Sequence, residues 1–326
     1  MIKITFLAVE GCLSSSIANL IDAFTIANLW HNSLSGKAMP LFATEVVALE
    51  GKPVTSSNCI QINPHRSLED IVFSNYVIVP AFIPIPDSRQ MQDVRILDYL
   101  RRQHTAGTTL AAICTGAFLL AETGLLNGKI ATTNWQFAKK FRHRYPKVHL
   151  EIDSILTEED NLICTGATTA IMNLALRIIR SEGSGKLASV CAKALLIDPN
   201  RNSQAPYSLY IQSKRHKDNE ILKAEQYMIE HLDSNIVIDE VAEFVCLSPR
   251  HFKRRFKNAT GDSPLSYLQK LRIDEAKNRL ENTLENITEI TRQVGYEDDS
   301  TFRRMFKRHT TLSPREYRDR FLQVNS

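Results

Sequence analysis

The chain has 326 residues, of which 43% are apolar and 23% charged, and a net charge of +4. That length exceeds one typical domain and the apolar share supplies two cores, while so small a charge is weak evidence for any class of partner. No run of about eighteen apolar residues occurs, so no membrane-spanning segment is expected.

Ile2–Val9 is apolar and β-rich. It has one lysine and no small-residue cleavage site, and a helical pattern follows at once, so it reads as a buried strand and not as a signal peptide. Ile17–Trp30 has helical spacing and Leu41–Leu49 is strand-like. Tyr76–Pro80 reads as a short buried strand, Asp87–Arg102 as an amphipathic helix and Thr108–Ile113 as another buried strand. Thr115–Glu122 and Asn134–Arg144 read as helices, Val148–Asp153, Ile155–Leu156 and Leu162–Cys164 as strands, and Ala167–Ser181 as a strong helix. This alternation predicts an α/β, doubly wound domain with a parallel sheet over residues 1–197.

Residues 198–218 break the pattern. Asp198–Pro206 is polar and turn-rich, and Lys214-Arg215-His216-Lys217 is charged, which predicts an interdomain linker. The six cysteines, at 12, 59, 114, 164, 191 and 246, include no CxxC pair and have no histidine at ligand spacing. Reduced thiols in the cytoplasm are the expectation, with no metal site and no cofactor.

From Asn219 to the end, residues 219–326, everything reads as short helices, and the stretch repeats. Ile238–Leu247 lies 49 residues before Ile287–Tyr296; after one inserted residue the offset is 50, matching Phe252 to Phe302, Phe256 to Phe306, Ser263-Pro264 to Ser313-Pro314 and Tyr267 to Tyr317. Each copy has the pattern of a helix-turn-helix, which needs apolar contacts, a small residue on the first helix and a small residue in the turn. Val241, Ala242, Val245, Cys246 and Leu247 fill these places in the first copy; Ile290, Thr291, Val294, Gly295 and Tyr296 fill them in the second. Ser248 before Pro249, and Asp298 or Asp299, are the expected N-caps. Leu265–Leu280 reads as a long amphipathic helix joining the copies.

Acids nearly balance bases in this region, but the bases are bunched. Arg250, Lys253, Arg254, Arg255 and Lys257 fall in one stretch, and Arg303, Arg304, Lys307 and Arg308 in another. Solvated faces of a helical bundle would also look like this; two copies at corresponding positions favour two DNA-facing surfaces.

FKRRFKNATGDSPLSYLQK with LRIDEAKNRL, and VGYEDDSTFRRMFKRHTTLSPREYR, resemble the C-terminal domain of AraC/XylS-type transcription regulators. The resemblance implies double-stranded DNA as partner, with both second helices in successive major-groove faces about one helical turn apart. By position, Arg250, Lys253 and Arg254 are the base readers of the first unit, and Ser300, Thr301, Arg303 and Arg304 those of the second. Lys257, Lys307 and Arg308 fit phosphate contacts.

In the N-terminal region, Thr108–Ile113 runs into Cys114 and a helix, the layout of a nucleophile elbow, where a helix N-terminus lowers a thiol pKa. With the following ETGLLNGKIATTNW, residues 1–195 resemble the PfpI-type, class I glutamine-amidotransferase-like domain (a flavodoxin-like fold), and the whole chain is similar to GlxA-type regulators. Enzymes of that superfamily pair the cysteine with an early acid and often a neighbouring histidine. Here Thr115 follows Cys114, the acid position falls on Ser16, and the motif that commonly ends His-Trp reads Asn134-Trp135. No catalytic set is therefore expected.

Cys114 reads in three ways: an inherited buried cysteine, the wall of an effector pocket, or a redox sensor. A pocket in such a sheet lies at the carboxyl ends of the strands, where Ser16, Phe82, Cys114, Thr115, Asn134 and Trp135 are its candidate liners. Trp30 with Trp135 raises the further idea of an aromatic cage for an amino-acid or amine-like effector, against a default of core packing. The expected function is a sequence-specific transcription regulator, homodimeric and effector-controlled, contacting RNA polymerase if it activates. The alternative is a hydrolase or hydratase using Cys114, with the DNA-binding domain as accessory.

Overall fold

The computed structural model describes residues 1–36, 38–85, 91, 93–209 and 216–323. The chain divides into two compact units, Met1–Gln204 and Ala205–Ser326.

The first unit is built on seven strands: β1 (Ile2–Ala8), β2 (Phe42–Ala48), β3 (Arg66–Ser67), β4 (Tyr76–Val79), β5 (Thr109–Ala112), β6 (Leu156–Glu159) and β7 (Leu162–Thr165). They lie in the order β6-β7-β5-β4-β1-β2-β3. The central strands are apolar on both faces because helices cover both, and all four residues of β4 are buried. Parallel register aligns Ile4 with Tyr76 and Ile78 with Ala111. The chain winds outward from β1 in both directions, so β1 and β4 flank the point where strand order reverses.

The helices are α1 (Ser15–Ser35), α2 (Val94–Thr105), α3 (Gly116–Glu122), α4 (Ala138–Arg144), α5 (Ile171–Glu182) and α6 (Gly185–Ala194). Helix α1 packs with α5 and α6, and α2 with α3. Right-handed crossovers to either side of β1 put these groups on opposite faces.

Several expectations need correction. The sheet is not wholly parallel: β6 pairs antiparallel with β7. The connection holds Asp160 (φ 49°) and Asn161 (φ 59°), two consecutive left-handed residues of the kind a tight hairpin requires. Helix α2 begins at Val94, where Asp93 Oδ1 caps the Arg95 N–H at 3.0 Å; residues 87–90 and 92 of the expected helix lie outside the described residues. Of Val148–Asp153 only His149–Leu150 is strand, paired with Ile130–Ala131 in a separate ribbon. Helix α6 went unread because Gly183 and Gly185 flank its cap; Ser184 Oγ accepts from the Leu187 N–H at 3.1 Å, and Leu187, Ala188, Cys191 and Ala192 are buried.

The second unit is all helix: α7 (Asn219–Glu230), α8 (Ile238–Phe244), α9 (Pro249–Thr260), α10 (Pro264–Asn282), α11 (Ile287–Gln293), α12 (Asp299–Thr310) and α13 (Pro314–Phe321). It has two cores. Val241, Ala242, Phe252, Phe256 and Tyr267 belong to the first; Ile290, Val294, Phe302, Phe306 and Tyr317 belong to the second. Helix α10 serves both, giving Leu268 and Leu271 to one and Ile273, Ala276 and Leu280 to the other.

The stretch 198–218 is largely built into the two units. Gln204 is buried in the first, its Nε2 donating to the Thr133 and Ile152 carbonyls at 2.8 and 2.7 Å. In the second, Tyr207 packs on Phe321 and the Lys277 ammonium donates to the Ser208 carbonyl at 2.7 Å. His216 pairs with Glu225 at 3.0 Å. Residues 210–215, including Lys214 and Arg215, lie outside the described residues.

Among the described glycines of the first unit the tightest backbone approach is at Gly116, where an added Cβ would sit 2.4 Å from the Pro80 carbonyl oxygen and 2.8 Å from that of Val79. Gly116→Ala is expected to lower the unit's stability by about 2–3 kcal/mol in urea denaturation. Gly185→Ala, with nothing within 4 Å, should leave it unchanged or slightly higher.

Candidate nucleic-acid interface and sensor site

The duplicated sequence yields duplicated geometry. In the first turn the N–H groups of Cys246 and Leu247 donate to Glu243 and Ala242 at 2.8 and 2.9 Å; in the second those of Gly295 and Tyr296 donate to Arg292 and Thr291 at 2.9 and 3.0 Å. Cys246 (φ 55°) and Gly295 (φ 77°) both adopt the left-handed backbone that ends the first helix and redirects the chain. Phe252, Phe256 and Tyr267 form a chain of ring contacts at 5.4 and 5.2 Å, matched by Phe302, Phe306 and Tyr317 at 5.7 and 5.3 Å. Each such pair contributes about 0.5–1.5 kcal/mol beyond its buried area.

Within the second unit, the two helix-turn-helix copies are fastened to each other by Arg272 of α10. Its guanidinium donates to the Leu232 and Ser234 carbonyls at 3.3 and 2.6 Å and lies 5.4 Å from the Tyr296 ring centre. It packs against Gly295 so closely that a Cβ there would meet Arg272 Nη2 at 2.5 Å and the Leu232 oxygen at 2.4 Å.

With the phenylalanines turned inward, the opposite faces of α9 and α12 point to solvent. Arg250, Lys253, Arg254 and Lys257 are exposed on α9; Ser300, Arg303, Arg304, Lys307 and Arg308 are exposed on α12, and Thr301 is half-buried. Lys253 meets Asp239 at 2.8 Å across the surface. Arg255 departs from the basic bunch: it turns back to Asp218 and Glu220 at 2.6 and 2.5 Å and fastens α9 to the start of α7.

Ser248 holds the N-cap place of α9 but its side chain makes no capping bond. At α12 the cap is Asp298, not Asp299; it accepts from Ser300 Oγ and the Thr301 N–H, both at 2.7 Å. These bonds hold the Asp298 carboxyl well below the usual carboxylate range. A lowered folded pKa means the cap works fully above the ordinary aspartate value, about 3.9, and is lost only as pH falls through the lower, folded value.

In the first unit the elbow forms as expected, with Cys114 at φ 54°. The carboxyl ends of β1, β4 and β5 bring five of the six candidate liners together. Ser16 Oγ accepts from the Ala81 N–H at 3.3 Å and donates to the Leu13 carbonyl at 2.6 Å; Thr115 Oγ1 meets both the N–H and the carbonyl of Phe82 at 2.7 Å. Asn134 hydrogen-bonds to Cys114, and Thr133 Oγ1 donates to its carbonyl at 2.7 Å. Ser16, Phe82, Cys114, Thr115 and Asn134 are all buried, while Trp135 is half-buried.

The thiol differs from expectation. Burial pushes it above its ordinary range, partly offset by hydrogen bonds with the uncharged Asn134, Thr115 and Thr168. Trp30 does not join this site. It lies fourteen residues beyond Ser16 on α1, about 21 Å along the axis. Nearby Asn28 bonds both backbone groups of Phe42 at the opposite, amino end of β2. Sequence reasoning missed Arg272 and, around Cys114, Thr133 and Thr168, since neither a half-buried fastening arginine nor a neutral hydroxyl ring has a linear motif.

Residues 241–320 match the helix-turn-helix domain family and residues 37–181 the DJ-1/PfpI family. The chain is 26% identical to the HTH-type transcriptional regulator GbdR of Pseudomonas aeruginosa, across 97% of this chain and 84% of that protein. It is 42% identical to the Escherichia coli arabinose operon regulatory protein across 31% of this chain and 35% of that one. The solved structure of Drosophila melanogaster DJ-1beta, at 22% identity and TM-score 0.50, covers 60% of this chain and 98% of its own, which shows the fold. Fold and interface together define a sequence-specific DNA-binding transcription regulator. The chain combines a DJ-1/PfpI domain with an AraC-type helix-turn-helix domain behind it, the arrangement it shares with these regulators.

The left-handed positions generate a test, because the copies share a backbone but not their glycines. Cys246 and Thr311 (φ 63°) stand in the places taken by Gly295 and Gly261 (φ 88°) in the other copy. Cys246→Gly and Thr311→Gly are each expected to stabilise the second unit by about 0.5–1 kcal/mol. Gly295→Ala should cost at least about 2 kcal/mol, read as urea midpoints of that unit's transition.

Proposed function

We propose that the chain holds one DNA segment with α9 and α12 in successive major-groove faces, about one helical turn apart. Arg250, Lys253 and Arg254 read bases in the first, and Ser300, Thr301, Arg303 and Arg304 in the second. Lys257, Lys307 and Arg308, farther along each helix, take phosphates. The observation that carries this reading is that Arg250, Arg254, Lys257, Arg303, Arg304, Lys307 and Arg308 are exposed on repeated scaffolds, and none makes an ion pair with a described residue.

The first unit serves as a sensor without catalysis, in a cytoplasmic homodimer that contacts RNA polymerase when it activates. Support comes from Cys114: its neighbours are neutral, and a thiol pushed up by burial with no base beside it lacks the means to become a nucleophile. An effector acts only through different affinities for the DNA-competent and incompetent states.

Arg254→Ala is expected to weaken specific binding by about 1–3 kcal/mol and to relax preference at one base pair. Equal loss on random duplex would make it a phosphate contact. Lys257→Ala should weaken all sequences alike and flatten the salt dependence by about one contact. A thermal-shift panel of amino acids and amines tests the sensor: a ligand that raises Tm must also change DNA affinity by the linked factor. Cys114→Ala should retain that response, and a turnover lost with the thiol would restore the enzyme alternative.

A further inference from the structure

Between Glu122 and Glu151 the chain carries six Lys or Arg, two His and no acid. The run is on the first unit, far in sequence from the helix-turn-helix pair, and although Thr133 and Asn134 within it reach Cys114, none of its charged residues does.

Its geometry is that of a built face. Helix α4 turns Phe141 inward, where the ring lies 5.0 Å from Phe118 and 4.9 Å from Tyr145. Tyr145 OH reaches the Glu122 carboxylate at 2.6 Å. With Phe141 fixed inward, Lys139, Lys140, Arg142 and His143 share the outer side of the helix and are exposed. The turn after α4 closes through the Val148 N–H to the Tyr145 carbonyl at 3.1 Å and leaves Lys147 exposed beside it. Arg142 and His149 line one groove of about 470 Å³ with Tyr145 and Pro146, which makes the helix and the following ribbon a continuous surface; Glu151 also lines it, as its one acid.

Two cations of the run are already neutralised, Arg144 by Glu122 and Lys129 by Asp160. Lys140, Arg142 and Lys147 form no ion pair with any described residue. Three uncompensated cations on one surface repel each other and gain most from an extended polyanion, whose condensed counterions they displace. Such a polyanion is already a partner of this chain.

We propose that this face of the sensor unit is a second, sequence-independent DNA contact, in which Lys140, Arg142 and Lys147 take backbone phosphates outside the segment held by α9 and α12. The inference rests on the DNA-binding reading above. It makes the sensor unit a contributor to affinity without adding to sequence preference.

The test uses the full chain and a mixed-sequence duplex of about 40 base pairs, with binding followed by fluorescence anisotropy from about 50 to 300 mM KCl. Lys140→Gln/Arg142→Gln/Lys147→Gln is expected to make the slope of log K against log salt shallower by about 2–3, at about 0.9 per phosphate. An unchanged slope, while Lys257→Ala still flattens it, overturns the second contact and leaves the helix-turn-helix reading intact. If neither variant alters the slope, both readings fail. A fold-independent arm uses the unmodified chain: bound to the same duplex, Lys140 and Lys147 should be protected from amine acetylation read by mass spectrometry. Full reactivity at both, with Lys257 protected, overturns the proposal.

Discussion

The inward packing of two phenylalanines spaced four apart on α9, and again on α12, governs the DNA-binding unit. A pair at that spacing occupies one stripe of a helix, so burying it fixes the rotation of the whole helix about its axis. Which side chains reach solvent follows from that rotation. Arg250, Arg254 and Lys257 point outward because Phe252 and Phe256 point in, and Arg303, Arg304 and Lys307 do so because Phe302 and Phe306 do. Tyr267 and Tyr317 complete each aromatic chain from the next helix, so the reader helices are held by packing at their backs and leave their fronts free.

The first unit solves the reverse problem. Its elbow keeps Cys114 at a left-handed backbone position at the end of a buried strand, a geometry that serves to present a nucleophile. Yet the hydroxyls of Ser16 and Thr115 are spent on the backbone of Ala81 and Phe82, and Asn134 is turned to the thiol. The groups that meet the thiol and the hydroxyls here donate and accept hydrogen bonds. Such an environment recognises a neutral polar group well and stabilises a developing anion poorly.

Much of this was legible from residues alone, and the boundary of legibility has a physical basis. The repeat of Phe, Ser-Pro and Tyr at a fixed offset located both helix-turn-helix units because local packing dictates those residues in order along the chain. The elbow was legible for the same reason. Arg255 was not: its partners Asp218 and Glu220 lie some thirty-five residues away, and nothing in the basic run separates it from Arg254. The aromatic pairing of Trp30 with Trp135 failed because the length of α1, not sequence, decides which end of the sheet Trp30 reaches. Helix α6 was hidden by glycines that flank a cap and do not break the helix.

Helix α10 gives the two copies very different freedoms. In the DNA-binding reading proposed above, side chains on the solvent faces of α9 and α12 support nothing behind them, so each can be exchanged and each groove's preference retuned alone. The phase between the grooves has no such latitude. It is set by one nineteen-residue helix that gives some side chains to each core, locked at one side by Arg272. One residue inserted there would swing the second unit by about 100° and carry it about 1.5 Å along the axis, out of step with the double helix. Divergence in this architecture therefore proceeds by substitution at the front and not by change of length in the middle: the alphabet is open to revision, the spacing between words is not.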